Sequence, residues 1–121
     1  MYTLMVVDDS NIIRRKIERC QLKTKKFDVV ASASNGVEAL KLFKHFSPDV
    51  VTMDLTMPEM DGIECIKHLI DHNPDVLILV VSALSDKATG IEALEHGARG
   101  FLCKPFTEKE LISALEELTE G

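Results

Sequence analysis

No stretch of this 121-residue chain is apolar for long enough to cross a membrane. The longest apolar run, residues 76–81 with Ala83 and Leu84 beyond Ser82, falls far short of the roughly 20 residues a spanning helix needs. The N-terminus, MYTLMVVDD, meets two acids before a signal-peptide pattern could develop. A cytoplasmic protein without membrane insertion is therefore expected. Cysteine is scarce: Cys20, Cys65 and Cys103 are odd in number, widely spaced and without the C-x-x-C spacing of a zinc or thioredoxin-like site. Each has apolar neighbours, so three buried free thiols in a reducing compartment are expected. Positive charge is in deficit. The net charge of −6 argues against nucleic acid as the main partner. Linkers, repeats and low-complexity stretches are missing too, and 121 residues suffice for one domain, 1–121, and not for two. A domain of this size buries roughly two-thirds of its unfolded surface, so a single core holds it without staples.

What is present is short β-branched runs alternating with helical patterns, the signature of βαβ units and a parallel sheet. The spacing predicts strands over residues 4–8, 29–33, 50–54, 77–81 and 100–103. Near-continuous apolar runs among them suit strands covered by helices on both faces. Five helices are expected between and after them. Ser10 caps the first, with Ile13, Ile17 and Cys20 on its apolar stripe, and Asn35 with Glu38 caps the second, with Ala39, Leu40, Phe43 and Phe46. Ile66, Leu69 and Ile70 follow Asp61-Gly62 in the third. Ser85 or Asp86 opens the fourth, with Ala88, Ile91 and Leu94 inward and Gly97 as its stop. Thr107 and Glu110 form a capping box for the last, whose core face is Leu111, Ala114, Leu115 and Leu118. Strict alternation favours an α/β doubly wound sheet of five parallel strands and five helices, with its site at the carboxyl ends of the strands.

That rule selects the chemistry. Strand one ends in Asp8-Asp9, strand three in Asp54, strand four in Ser82 and strand five at Lys104. Each residue alone has a plainer role available, helix capping for Asp8 or Asp9 and a local backbone bond for Ser82. The set is chemically consistent: three carboxylates, a hydroxyl and an ammonium meet at one sheet edge. Three neighbouring carboxylates need a counter-charge, and Mg²⁺ is the natural one because it takes oxygen ligands and few carboxylates. A metal, a lysine and a hydroxyl are also what holds and neutralises a transferring phosphoryl group. Asp54, at the centre, is then the nucleophile that forms an acyl phosphate.

The stretches VVDDS, VTMDLTMPEMDG, VVSA and GFLCKPF, in this order and spacing across nearly the whole chain, resemble the receiver domain of two-component response regulators. The wording around VDDS and KPF resembles the stand-alone chemotaxis type most. The resemblance implies a flavodoxin-like fold with strand order 2-1-3-4-5, and a protein that is no enzyme beyond transferring phosphate to itself and slowly losing it. It implies Asp54 as phospho-acceptor, Asp9 as a direct Mg²⁺ ligand, Asp8 acting mainly through water, and the Thr56 backbone carbonyl as a third protein ligand. Ser82 and Lys104 correspond to the residues that hold phosphoryl oxygens, Pro105 to a proline preceded by a cis bond, and Phe101 to a switch aromatic that follows Ser82. Pro58 and Gly62 would shape the loop after Asp54.

The implied donor is a histidine kinase or a histidine phosphotransfer domain. The implied outlet is a protein target, a flagellar motor switch or another effector, meeting the face of helix four, strand five and helix five. A monomer is expected before phosphorylation. Half of all Lys and Arg lie in Arg14, Arg15, Lys16, Arg19, Lys23, Lys25 and Lys26; a solvated basic face is the plain reading, steering of an acidic donor the functional one. A phosphorelay intermediate, or a receiver cut from a longer regulator, fits the same residues. A docking module that works without phosphate is the reading from another class. An aspartyl phosphatase is disfavoured because Thr56 stands where a second acid belongs. Thr56 and the apolar Leu84 lie two residues beyond Asp54 and Ser82, where water reaches the acyl phosphate, and Leu84 predicts slow self-hydrolysis.

Overall fold

The computed structural model describes all residues except Pro58, Leu84, Asp86 and Gly121. Five strands, β1 (Tyr2–Val7), β2 (Phe27–Ala33), β3 (Val50–Met53), β4 (Leu77–Ala83) and β5 (Gly100–Lys104), alternate with helices. These are α1 (Asn11–Glu18), α2 (Gly36–Phe46), α3 (Gly62–His72), α4 (Lys87–Glu95) and α5 (Glu108–Glu120), with a one-turn helix, Cys20–Lys23, just after α1. The sheet order is β2-β1-β3-β4-β5, and every neighbouring pair is parallel. This is the doubly wound, flavodoxin-like arrangement expected from the alternation and the resemblance.

The near-continuous apolar strands divide their side chains between two cores, because successive residues of a strand face opposite sides. Met5, Val7, Val51, Met53, Ile78 and Val80 face one side, where Ala39, Phe43, Ile66, Leu69 and Ala93 of α2, α3 and α4 cover them. Leu4, Val6, Val50, Leu79 and Val81 face the other, under Ile17 of α1, Cys20, and Leu111, Leu115 and Leu118 of α5. Full burial of each such side chain stabilises the fold by about 1.5–3 kcal/mol before chain entropy is set against it.

Local chemistry starts the helices where the side chains foretell. Ser10 accepts from the N–H of Ile13 at 3.3 Å and Asn35 from that of Glu38 at 2.8 Å. Glu38 reaches back to the Ser34 N–H at 3.0 Å. Asp61 accepts from the Glu64 N–H at 2.9 Å. Thr107 and Glu110 exchange two bonds, of 3.0 and 3.1 Å. Gly97, two residues past α4, has φ +116°, a conformation that favours glycine.

Three expectations need correction. The inward face of α4 is Gly90 and Ala93, while Ala88 is exposed and Ile91 and Leu94 are 54% and 44% exposed. Both stripes of this helix are apolar, so hydropathy alone favours the larger one. The ring of Phe101 already fills the space beneath the helix, and only the small stripe fits over it. Phe46, the last residue of α2, is exposed and meets His45 edge-on instead of joining the core. Cys20 and Cys65 are buried, but Cys103 on the outermost strand β5 is half-exposed. Asp86, offered as a cap for α4, lies outside the described residues.

Candidate functional site

The register of the sheet brings the strand-end residues together. The N–H of Asp8 donates to Ala33 O at 3.1 Å and that of Asp54 to Val7 O at 3.0 Å, so the ladder runs one residue past β1 and β3. That single extra rung pins the backbones of Asp8 and Asp54 side by side. On the other flank Ser82 pairs with Cys103 and Ala83 with Lys104, which places the hydroxyl and the ammonium on adjoining rungs. Asp8, Asp54 and Ser82 are all buried, at 1%, 3% and 1% exposure. Asp9 is exposed and completes a trio with Asp8 and Asp54 in which one carboxylate oxygen from each lies within 4.8 Å of the others.

Lys104 sits among these acids. Its Nζ is 2.8 Å from Asp8 Oδ2 and 3.6 Å from Asp54 Oδ1. Burial works to lower its pKa, but the bond to Asp8 and the charge of Asp54 outweigh that and leave it raised. Asp54 is pushed up to about 6, first by burial and then by the charge of Asp8; Lys104 and the Thr56 N–H, which donates to Asp54 Oδ1 at 3.3 Å, pull the other way. One ammonium thus faces three carboxylates and does not fully compensate them. Asp8 Oδ1 accepts from the Ser10 N–H at 2.9 Å, and its buried Oδ2 meets the Lys104 ammonium at 2.8 Å. An all-oxygen donor set with a charge deficit fits a hard divalent cation.

The loop after Asp54 owes its path to a close approach. A Cβ on Gly62 would stand 2.5 Å from the Asp54 carbonyl oxygen and 2.6 Å from Leu55 Cα, and the Gly62 N–H donates to Leu55 O at 3.1 Å. The start of α3 therefore packs directly on the acceptor's backbone, a contact in line with the loop-shaping role expected of Gly62 and one whose partner the turn signal alone does not reveal. Thr56 is exposed in this loop. Pro58, expected to shape it, and Leu84, expected to govern hydrolysis, lie outside the described residues. Phe101 is half-buried on β5 with its ring against Gly90, and the Lys104–Pro105 bond is cis.

Two members of the basic cluster are not part of a free solvated face. Arg14 Nη1 donates to the backbone oxygen of Asp8 at 2.7 Å, and Lys16 Nζ donates to the backbone oxygen of Phe106. Sequence reasoning missed both, since neither partner is signalled by spacing. No described helix is long and apolar enough to cross a membrane. Burial pushes the Cys20 and Cys65 thiols up, to about 11 and about 12, so both stay protonated and inert.

Known proteins with this arrangement are numerous. Chemotaxis protein CheY of Listeria monocytogenes is 38% identical over 117 residues, 97% of this chain and 98% of that protein. CheY of Thermotoga maritima is 38% identical over 97% of each chain. Among solved structures, the REC domain of the response regulator AraT from Geobacillus stearothermophilus superposes with TM-score 0.91 at 28% identity, covering 98% of this chain and 93% of that one. A chain of the CheX-CheY-BeF3-Mg+2 complex from Borrelia burgdorferi does so with TM-score 0.90 at 26% identity, covering 98% and 89%. The family model described as "Response regulator receiver domain" matches residues 4–116, and the chain belongs to that family.

Proposed function

We propose that this protein is a phosphorylation switch that accepts a phosphoryl group on Asp54. The observation that carries this reading is the buried Asp54 carboxylate flanked by Asp8, Asp9 and Lys104 at the end of β3. Asp8, Asp9 and Asp54, with the Thr56 carbonyl, would hold Mg²⁺. When bound, the ion supplies positive charge to the carboxylates and to the phosphoryl oxygens. The chain's own residues do the rest. An oxygen of Asp54 forms the new bond to phosphorus as the P–N bond of a donor phosphohistidine breaks, and the histidine nitrogen leaves with the electron pair. Lys104 turns from its carboxylate partners to the transferred oxygens, and Ser82 donates a hydrogen bond to one of them. The chain catalyses this transfer onto itself and the later hydrolysis, and acts on no other substrate.

The outlet is the face formed by α4, β5 and α5. Ile91 and Leu94 stand exposed there beside a cavity of about 230 Å³ lined by Lys87, Gly90, Phe101 and Cys103 as well. An exposed apolar patch of this kind supports protein docking. Phosphate would draw Ser82 inward and let the Phe101 ring follow, a population shift that remodels the patch. The similarity to CheY proteins favours a chemotaxis pathway, with a histidine kinase or phosphotransfer domain upstream and a motor-switch component or comparable effector downstream.

Intact mass after incubation with acetyl phosphate and Mg²⁺ tests this, beside Asp54→Asn. One phosphoryl adduct, dependent on Mg²⁺ and absent from the variant, is the expected result. An unmodified wild type that also fails to bind beryllofluoride would make the chain a docking module that works without phosphate.

A further inference from the structure

The first turns of α1 face two ways. Arg15 is exposed, whereas Arg14 and Lys16 are half-buried and each donates to a backbone carbonyl of a loop that carries the site. Arg14 holds Asp8 O on the β1 side, and its other guanidinium nitrogen meets Asn11 Oδ1, which sets the fork. Lys16 crosses to the opposite side of the site. Its ammonium bonds Phe106 O and lies 4.4 Å from the centre of the Phe106 ring, so one carbonyl and one π-face hold the same charge.

Phe106 is 3% exposed, packed in the core beneath α1 and α5, and follows Lys104 by two residues. Its carbonyl lies ahead of the α5 ladder, where Thr107 O accepts from Leu111 N, and Lys16 supplies the donor that the helix does not. From the last residue of β5 onward the chain is thus tied at three places: Lys104 to Asp8 and Asp54, Phe106 to Lys16, and Thr107 to Glu110 by the capping box. The middle tie alone joins the loop's backbone to the helix that also holds Asp8. Helix α1 therefore spans the site, with one cationic side chain on the backbone of Asp8 and another on the loop that follows Lys104.

We infer that Lys16 is a positioning residue for phosphoryl transfer: by holding the Phe106 carbonyl against α1, it fixes the backbone from which Lys104 reaches the phosphoryl oxygens. The inference rests on the reading of Asp54 as acceptor. It follows from the cost of misplacement, because a displacement of about 1 Å in a charge-stabilising group lowers a rate by up to about 100-fold.

Single-turnover phosphorylation by acetyl phosphate at saturating Mg²⁺, followed by intact mass across donor concentrations, tests it in the full chain. Four proteins are compared with wild type: Lys16→Met, which keeps the stem and removes charge and donor; Lys16→Arg, which restores both; Arg15→Met, which removes an exposed charge from the same helix; and Asp54→Asn. Lys16→Met should lower the maximal rate about 10-fold, with the apparent donor affinity and the Mg²⁺ affinity each within about twofold of wild type. Lys16→Arg should recover most of the rate, and Arg15→Met should leave it unchanged. A Lys16→Met protein modified at the wild-type rate would overturn the positioning role and leave the acceptor reading intact. So would an equal rate loss in Lys16→Arg, or in Arg15→Met, since these would assign the effect to packing or to net charge. A wild type that takes no phosphoryl group overturns both readings together.

Discussion

The ring of Phe101 occupies the space that any side chain at residue 90 would need: a Cβ built on Gly90 would lie 2.3 Å from Phe101 Cε2 and 2.7 Å from Cδ2. A glycine inside a helix costs about 1 kcal/mol relative to alanine, so its place in α4 asks for a reason, and the ring supplies one. The same fit turns Ile91 and Leu94 outward and so creates the apolar patch beside β5.

Gly90→Ala should destabilise the protein by about 1–3 kcal/mol, opposite to what helix propensity alone dictates. In a Phe101→Leu background the same change should be neutral or stabilising, giving a coupling energy above about 1 kcal/mol. Urea unfolding of the four proteins measures this, and a Gly90→Ala variant more stable than wild type would refute the packing argument.

Gly62→Ala strikes backbone, which cannot swing aside as the end of a side chain does. The expected cost is about 2–3 kcal/mol, together with a loss of phosphorylation rate of about 10-fold or more, because the Asp54 carbonyl itself must move. Thermal unfolding and acetyl phosphate kinetics report the two effects. Unchanged values for both would mean that α3 has room to shift without disturbing the acceptor.

Lys104→Met leaves Asp8 and Asp54 buried face to face without their ammonium. The stability loss at pH 7 in chelator should be about 3 kcal/mol. Millimolar Mg²⁺ should recover much of it by supplying the missing charge to the same oxygens. Denaturant midpoints with and without Mg²⁺ provide the check, and a loss that Mg²⁺ leaves untouched would count against a shared charge deficit.

Asp54→Asn should stabilise the metal-free protein near neutrality. The carboxyl is raised from 3.8 to about 6, chiefly by burial and then by Asp8. Below pH 3.8 it is protonated in folded and unfolded chains alike and costs nothing. As pH rises from there to about 6 the unfolded chain sheds the proton first, so the stability this group contributes falls across that window and stays low above it. The gain from Asp54→Asn should therefore be near zero at pH 3.5 and reach the order of 1–2 kcal/mol by pH 7. A gap that is constant with pH would show that the carboxylate is not penalised in the fold.

Much of the architecture was legible because it rests on chemistry within three or four residues. The capping pairs at Ser10, Asn35 and Glu38, and Thr107 and Glu110 act between near neighbours, and each forms the bonds its spacing implies. The runs of β1, β3 and β4 were equally plain, since residues buried on both faces leave no charged side chain until the strand ends. Asp8, Asp54, Ser82 and Lys104 were found by that very break in the pattern. The inward stripe of α4 was not legible, because two apolar faces compete and the winner depends on where the Phe101 ring from another strand lies.

The sequence by itself determined the order of strands and helices, the helix starts and the residues that stand at the sheet's edge, all set by periodicity and local hydrogen bonding. Only the tertiary structure decided that Lys104 pairs with Asp8, that Lys16 crosses to Phe106, and that Gly62 and Gly90 are points of contact instead of ordinary turn or helix residues. Those partners lie on separate elements, and parallel strands are joined only through intervening helices. Which side chains meet is therefore fixed by sheet register and helix packing, quantities that no short stretch of the chain carries.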